Sequence, residues 1–299
     1  MEHVRTRPGI VLALCSGLLL TVAACGPTAE QLAAREASPS AAVPAPVSSR
    51  SATPAPPPSV PAAPAPVSVA PARVGVTGSQ AGMPEPVQDA CQWLLRRDPA
   101  TVPGAEAGAC VAAAMAAGEG GVQTLQTETS WLPGGTYTVR FSTSGGFAMS
   151  LEESGTDSLG IVVRDGVRTL RQEGSVVAAN PDGSAEEAYA AVLADAAELT
   201  VRPERVAGLV SASDRLEIEY GAILDGAAYT RLSGSFDAGT AAAGEPEDDA
   251  SLAKIPAGSV SVFLDDYYRP VRIELTGLNQ GITSHITAVN TQWGTRPFP

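Results

Sequence analysis

Pro270-Val271-Arg272-Ile273-Glu274-Leu275 alternates apolar and charged side chains one for one. A period of two puts Val271, Ile273 and Leu275 on one face and Arg272 and Glu274 on the other, which predicts a half-buried strand. Asp265-Asp266, just before Arg269-Pro270, predicts a turn, so the preceding segment Ser259 to Leu264 is read as an antiparallel neighbour. Ile282 to Gln292, closed by Trp293-Gly294, supplies the next strand. The alternation recurs upstream: Tyr137, Val139 and Phe141 are separated by Thr138 and Arg140, and Leu216, Ile218 and Tyr220 by Glu217 and Glu219. Asp165-Gly166 and Asp225-Gly226 suit tight hairpins, and Pro133-Gly134-Gly135 and Gly145-Gly146 mark further turns. About nine or ten short strands are expected between Val122 and Trp293, half-exposed as in an antiparallel sheet.

Helical signals interrupt this pattern. Gln88 to Arg97 and Glu106 to Ala117 have helical composition, with a break at Asp98-Pro99 and Pro103-Gly104. In the middle of the chain Ser184 and Glu187 make a capping box, followed by an apolar stripe of Ala188, Tyr189, Val192, Leu193, Ala196 and Leu199. A short helix is expected from Pro203 to Val210, because proline suits a first turn. The fold class expected is α+β: a curved antiparallel sheet, or half-barrel, packed on helices. The segment from Asp237 to Ser251, with Glu245, Glu247, Asp248 and Asp249, reads as a solvated loop whose carboxylates lack the scaffold a metal site needs.

The first residues are a leader. Arg5 and Arg7 precede an apolar run from Ile10 to Leu20, and Val22-Ala23-Ala24 approaches a cleavage point, the layout of a signal peptide over residues 1–24. Cys25 follows at once, and the tetrapeptide resembles the bacterial lipobox, whose cysteine is acylated. Cys15 is the poorer candidate because Leu14 stands where a small residue is required. Residues 25–83 read as the acylated cysteine and a Pro/Ala-rich tether: 11 of the 25 prolines fall between Pro39 and Pro71, where Arg50 is the only charge. At about 3.1 Å per residue such a tether reaches on the order of 100 Å at most. Residues 84–299 are then one domain, with 84–118 a helical hairpin and 120–299 the sheet with its central helices. Cys91 and Cys110, in an exported and oxidising setting, are expected to form a disulfide; they lack the Cys-x-x-Cys spacing of a redox pair.

Charge and composition exclude several functions. Residues 1–73 hold five of the 19 basic and three of the 32 acidic side chains, leaving 14 basic against 29 acidic in the remainder. A surface that acidic argues against nucleic acid as a partner. With two histidines, one of them His3 in the leader, His-based catalysis and His-ligated metal are not expected. No Gly-x-Ser-x-Gly elbow, phosphate-cradling glycine loop or His-Glu-x-x-His motif is present, so no enzyme activity, cofactor or metal is expected.

The order of these elements resembles the actinobacterial lipoproteins of the LppX/LprG kind, within the wider LolA-like fold. The residues that carry the resemblance are the lipobox cysteine, the Pro/Ala spacer, the central helical excursion and the C-terminal hairpins from Ile255-Pro256-Ala257 to Trp293-Gly294. It covers roughly residues 108–298. The resemblance implies a lipid anchor on the outer face of the cytoplasmic membrane and an apolar cavity that takes the acyl chains of a lipid or glycolipid. Inward members of the strands, Val139, Phe141, Ile218, Tyr220, Val271 and Ile273, are the candidates to line it. The alternative is an envelope interaction or regulatory module that uses the same sheet to bind a protein partner. The Cys91/Cys110 region is an addition to the family pattern, and few Phe or Leu residues are on hand to line a large pocket.

Overall fold

The computed structural model describes residues 78–129, 132–154, 159–237, 257–279 and 282–298. The expected signal peptide, Cys25, most of the tether and nearly all of the expected acidic loop lie outside these residues. A 3₁₀ turn (Gly78–Gln80) leads to α1 (Glu85–Ala90), α2 (Gln92–Leu95), β1 (Thr101–Pro103) and α3 (Gly104–Ala117). A meander follows: β2 (Gly120–Glu128), β3 (Gly135–Ser142), β4 (Ala148–Glu153), β5 (Leu159–Arg164), β6 (Val167–Gln172) and β7 (Ser175–Ala178). Then come α4 (Ala185–Glu198), α5 (Pro203–Ser211), β8 (Arg215–Leu224), β9 (Ala227–Asp237), β10 (Ala257–Leu264), β11 (Pro270–Asn279) and β12 (Ile282–Thr291). The protein is therefore α+β, with an antiparallel sheet packed on helices.

All twelve strands among the described residues belong to one sheet, ordered β1-β8-β9-β10-β11-β12-β2-β3-β4-β5-β6-β7. The sheet is open, since β1 and β7 each have one neighbour. Eleven of the strands, β2 to β12, occupy the stretch where nine or ten were expected, because the shortest ones carry too few residues to display alternation. Thr101–Pro103, read as a break between helices, pairs with Glu217, Leu216 and Arg215 instead. β7 was hidden by its turn: Glu173-Gly174 adopts the same left-handed pair of angles (φ 51° and 84°) as Asp165-Gly166 (52° and 77°) and Asp225-Gly226 (50° and 82°). Glutamate is an uncommon first residue for such a turn, so the dipeptide gives no signal.

Register decides which side chains share a face, because directly paired residues point the same way. Ile218 pairs with Leu232, Leu232 with Val262, Val262 with Ile273, Ile273 with Ala288, and Ala288 with Leu125. Val139 is opposite Gln123 and Phe141 is opposite Gly121, on the same side as Leu125. All these residues face the helices. The opposite face carries Thr124, Gln126, Glu128, Arg140, Glu217, Ser233, Ser261, Glu274 and His285.

The helical layer approaches closely because its faces are small. Gly108 of α3 leaves no room for a Cβ, which would stand 2.6 Å from the Ala207 carbonyl and 2.2 Å from Ser211 Oγ on α5. α4 buries Ala190, Ala191, Leu193, Ala194 and Ala197 over β5, β6 and β7. Its start is fixed by the expected capping box, in which Ser184 Oγ accepts from Glu187 N at 3.3 Å and Glu187 Oε2 accepts from Ser184 N at 2.7 Å. The bond between Cys91 and Cys110, whose Cα atoms lie 4.9 Å apart, ties the α1–α2 junction to α3. Those two helices replace the single one expected from Gln88 to Arg97.

Two polar clusters pin the layer to the sheet. Glu198, with no exposed surface, meets Arg168 Nε at 2.8 Å, Arg202, and Arg205 Nε at 3.7 Å. Asp195 meets Arg168 and Arg205, each at 2.9 Å. Nearer the middle, Gln123 donates to the Thr200 carbonyl at 3.1 Å and to Asn290 Oδ1 at 2.8 Å, and Thr200 Oγ1 donates to Gln123 Oε1 at 2.8 Å. Asn290 in turn donates to the Pro270 carbonyl at 3.0 Å. The Gln123 group satisfies its own donors and acceptors, as a low-dielectric interior requires, whereas Glu198 Oε1 and Arg205 Nε have charge partners but no hydrogen bond among the described residues.

Candidate functional site

The six residues expected to line a cavity share the helix-facing side of the sheet, and the structure divides them. Val139, Phe141 and Ile273 have no exposed surface at all and belong to the core. A void large enough for a water molecule would leave accessible area on its walls, so these three face packed side chains. Phe141 stands edge-on to Trp293 with ring centroids 5.3 Å apart. Ile218, Tyr220 and Val271 are half-buried. Of the six, Tyr220 opens onto a cleft.

The cleft lies at one end of the sheet. The β8–β9 turn, the β10–β11 turn and the start of β2 all fall at that end, since Leu264 pairs with Thr230 and Val122 with Thr291. It encloses about 230 Å³. Leu94, Leu264 and Ala228 supply apolar walls, and Gln80, Arg97, Tyr220, Asp266 and Tyr268 supply polar ones. Arg97 (φ 54°) and Tyr268 (φ 59°) both adopt the left-handed backbone that side chains of this size avoid. A tight turn holds Tyr268: its amide donates to the Asp265 carbonyl at 2.9 Å, while Arg269 Nε donates to Asp265 Oδ2 at 2.8 Å.

The chain enters the domain beside this cleft. Tyr267 Oη donates to the Ala81 carbonyl at 2.9 Å, and Gln80 Nε2 donates to Tyr268 Oη at 3.0 Å. The last residues of the expected tether are thereby fastened to the β10–β11 turn. Tyr220 Oη is buried without a protein partner among the described residues. Burial raises the pKa of both Tyr220 and Tyr268 above the ordinary phenol value, so both remain neutral donors at neutral pH. Apolar walls with neutral hydroxyls, flanked by Arg97 and Asp266, suit the junction between an apolar chain and a polar group. They offer no nucleophile with an adjacent base.

Other features add no chemistry of that kind. Among the described residues no group of three or more His, Cys, Asp or Glu side chains converges as a metal site would require. His285 lies on the outer face, 3.3 Å from Thr276 Oγ1. Asp265 and Asp266 are turn residues, the first engaged by Arg269. Among the described residues no helix is long and apolar enough to cross a membrane.

No protein-family model matches the chain, and no curated protein matches it. Solved structures do. LprF from Mycobacterium bovis matches at 15% identity and a TM-score of 0.40, over 66% of this chain and 96% of that one. The Mycobacterium tuberculosis lipoprotein LppX matches at 14% identity and a TM-score of 0.38, over 60% of this chain and 95% of that one. The matched structures thus include a member of the group that the sequence resembles.

Sequence reasoning missed Gln80, Leu94, Arg97 and Tyr268 as parts of one cleft. Leu94 belongs to a helix read as structural, and Tyr268 to a turn. Only the pairing of β10 with β9 and the seating of α2 bring them within reach of Tyr220.

Proposed function

We propose that this chain is an exported cell-envelope protein, held at the outer face of the cytoplasmic membrane by acyl chains on Cys25, whose domain binds an acylated lipid or glycolipid at the Tyr220 cleft. No covalent chemistry is involved. The observation that supports this reading is the amphipathic lining of the cleft, which Tyr220, one of the expected cavity residues, helps to form. Hydroxyls of Tyr220 and Tyr268 would take a polar linkage while Leu94 and Leu264 lie along the adjoining chain. Each Å² of apolar surface covered contributes ~25 cal/mol.

The cleft is smaller than the 300–1,000 Å³ or so usual for ligand pockets. An empty apolar void of ~400 Å³ at ~24 cal/mol per Å³ would cost roughly 10 kcal/mol, so a cleft wide enough for an acyl chain is stable only when filled. That cost equals the whole stability of many domains. Entry of a chain would therefore part α1 and α2 from β8–β10, the side away from the Glu198 and Gln123 clusters.

The test is detergent-free purification of the chain from Gly26 onward out of an exporting host, followed by organic extraction and mass spectrometry. A stoichiometric acylated species, lost on Tyr220→Trp at unchanged thermal stability, is the expected result. Lipid-free protein that also fails to take up lipid from vesicles would overturn the ligand reading. Anchoring is tested separately: Cys25→Ala should abolish palmitate labelling and release the protein from membranes.

The complete burial of Val139, Phe141 and Ile273 favours a second reading. A domain with a filled core can serve as an envelope interaction or regulatory module, binding a protein through its exposed sheet without lipid cargo. Lipid-free protein that co-purifies with a defined envelope partner would support it.

A further inference from the structure

A second, larger pocket occupies the same end of the sheet as the Tyr220 cleft, but across it, around the β3–β4 and β5–β6 turns. It encloses about 640 Å³. Three arginines reach it from segments distant in sequence: Arg164 at the end of β5, Arg202 just before α5, and Arg296 near the C-terminus. Asp165 is the one acidic residue on its wall. Such convergence stands out in a region with 14 basic and 29 acidic side chains.

Two of the guanidinium groups are held in place from behind. Arg202 is bound by the fully buried Glu198, approaches the exposed Glu204 at 3.8 Å, and lies 4.8 Å over the Phe147 ring. The surrounding cluster sets Arg168, Arg202 and Arg205 against Asp195, Glu198 and Glu204, and of its members Arg202 lines the pocket. Arg296 is bound through Nε (3.1 Å) and Nη2 by Glu119, whose pKa the arginine lowers. A guanidinium has five N–H donors in a rigid fork, so each of these keeps donors to spare. Arg164 has a loose, exposed contact with Asp165 at 3.8 Å and is free to swing. Gly145 and Gly146 have left-handed backbones, and a Cβ at either would meet nothing within 4 Å, so the rim is unobstructed. Phe147 and Phe298 add apolar wall beside the charges.

We propose that this pocket binds a phosphate-bearing group, with Arg164, Arg202 and Arg296 as its donors. Arg202 and Arg296 are held forks with donors to spare and Arg164 can swing in beside them, which together match the several acceptor oxygens of a phosphoryl group. The source of that group is a phospholipid headgroup or a soluble phosphorylated compound, and the chemistry is shared. The proposal does not rest on acylation of Cys25 or on the Tyr220 cleft.

The test uses the chain from Gly26 onward, without acyl groups. Binding is measured by calorimetry with inorganic phosphate and glycerol phosphate, and by co-sedimentation with phosphatidylcholine vesicles with and without phosphatidylglycerol. Arg164→Gln with Arg296→Gln is expected to weaken binding by about tenfold or more. Both side chains are over half exposed, so the thermal midpoint should hold. A matched control, Arg215→Gln with Arg231→Gln, removes the same charge from the outer face and should leave binding within about twofold. Binding to phosphatidylglycerol vesicles alone assigns a lipid headgroup; equal binding of glycerol phosphate assigns a soluble ligand. The proposal is overturned by no binding to any probe at millimolar concentration, or by equal loss in the control variant.

Discussion

Glu198→Gln tests how the helical layer is held to the sheet. Glu198 is completely buried and is the acceptor shared by Arg168, Arg202 and Arg205. Removing its charge leaves three arginines with Asp195 and the exposed Glu204 as the remaining acids beside them. Breaking a buried pair from one side costs roughly 3–5 kcal/mol, because the partner charges stay desolvated. Gln keeps one oxygen that accepts from an arginine, so the lower end, about 3 kcal/mol, is the expected cost. For a domain of this size each kcal/mol moves the thermal midpoint by about 2–4 °C, so a fall of roughly 6–12 °C is expected by circular dichroism. Glu198→Met with Arg205→Met removes both an acid and its most buried arginine, and should recover at least half of the loss, since apolar replacement of a buried pair is often near neutral. A Glu198→Gln variant within about 1 kcal/mol of the parent in urea titration would refute the reasoning, because that is the size of a surface pair.

Three other outcomes follow from the packing. Cys91→Ala with Cys110→Ala opens a loop of 19 residues and should cost about 3 kcal/mol in urea unfolding, with the parent under reducing conditions showing the same shift. Gly108→Ala should destabilise by roughly 1–3 kcal/mol although alanine is the better helix former, because the new Cβ would press on the Ala207 carbonyl of α5. Tyr137 is pushed up to about 12, chiefly by burial, and its hydroxyl donates to the Pro133 carbonyl at 2.7 Å. The unfolded phenol ionises first, so this contribution is whole below pH 10.0 and is lost as pH rises from there towards 12. Tyrosinate absorbance should then show Tyr137, Tyr220 and Tyr268 ionising late among the six tyrosines, and Tyr137→Phe should flatten the alkaline decline in stability.

Much of the fold was legible because its signals are local. Alternation at 137–141, 216–220 and 270–275 requires only adjacent residues, and register confirms that Val139, Ile218 and Ile273 share a face. Ser184 and Glu187 cap α4 across three residues. Segments too short for a period were missed: β1 pairs only because Leu216 lies beside it, and β7 because of an unusual Glu-Gly turn. The arginine clusters were hidden for a different reason. Asp195, Glu198, Arg202 and Arg205 follow one another at helical spacing, which was a usable signal, but Arg168 comes from β6 and reads in sequence as a solvent-facing residue.

The sequence by itself determined which side chains point toward the helices, since a strand's two-residue period is set by its own backbone. It also carried the pattern expected of a leader, the cysteine that follows it and the proline-rich stretch, all of which are runs of neighbours. Whether the inward face encloses a hollow or a packed core is decided only in the tertiary structure. That depends on how closely a separate layer can approach, which small residues of α4 such as Ala190, Ala194 and Ala197 permit and the buried charges around Glu198 hold, and no local pattern encodes the distance between two layers.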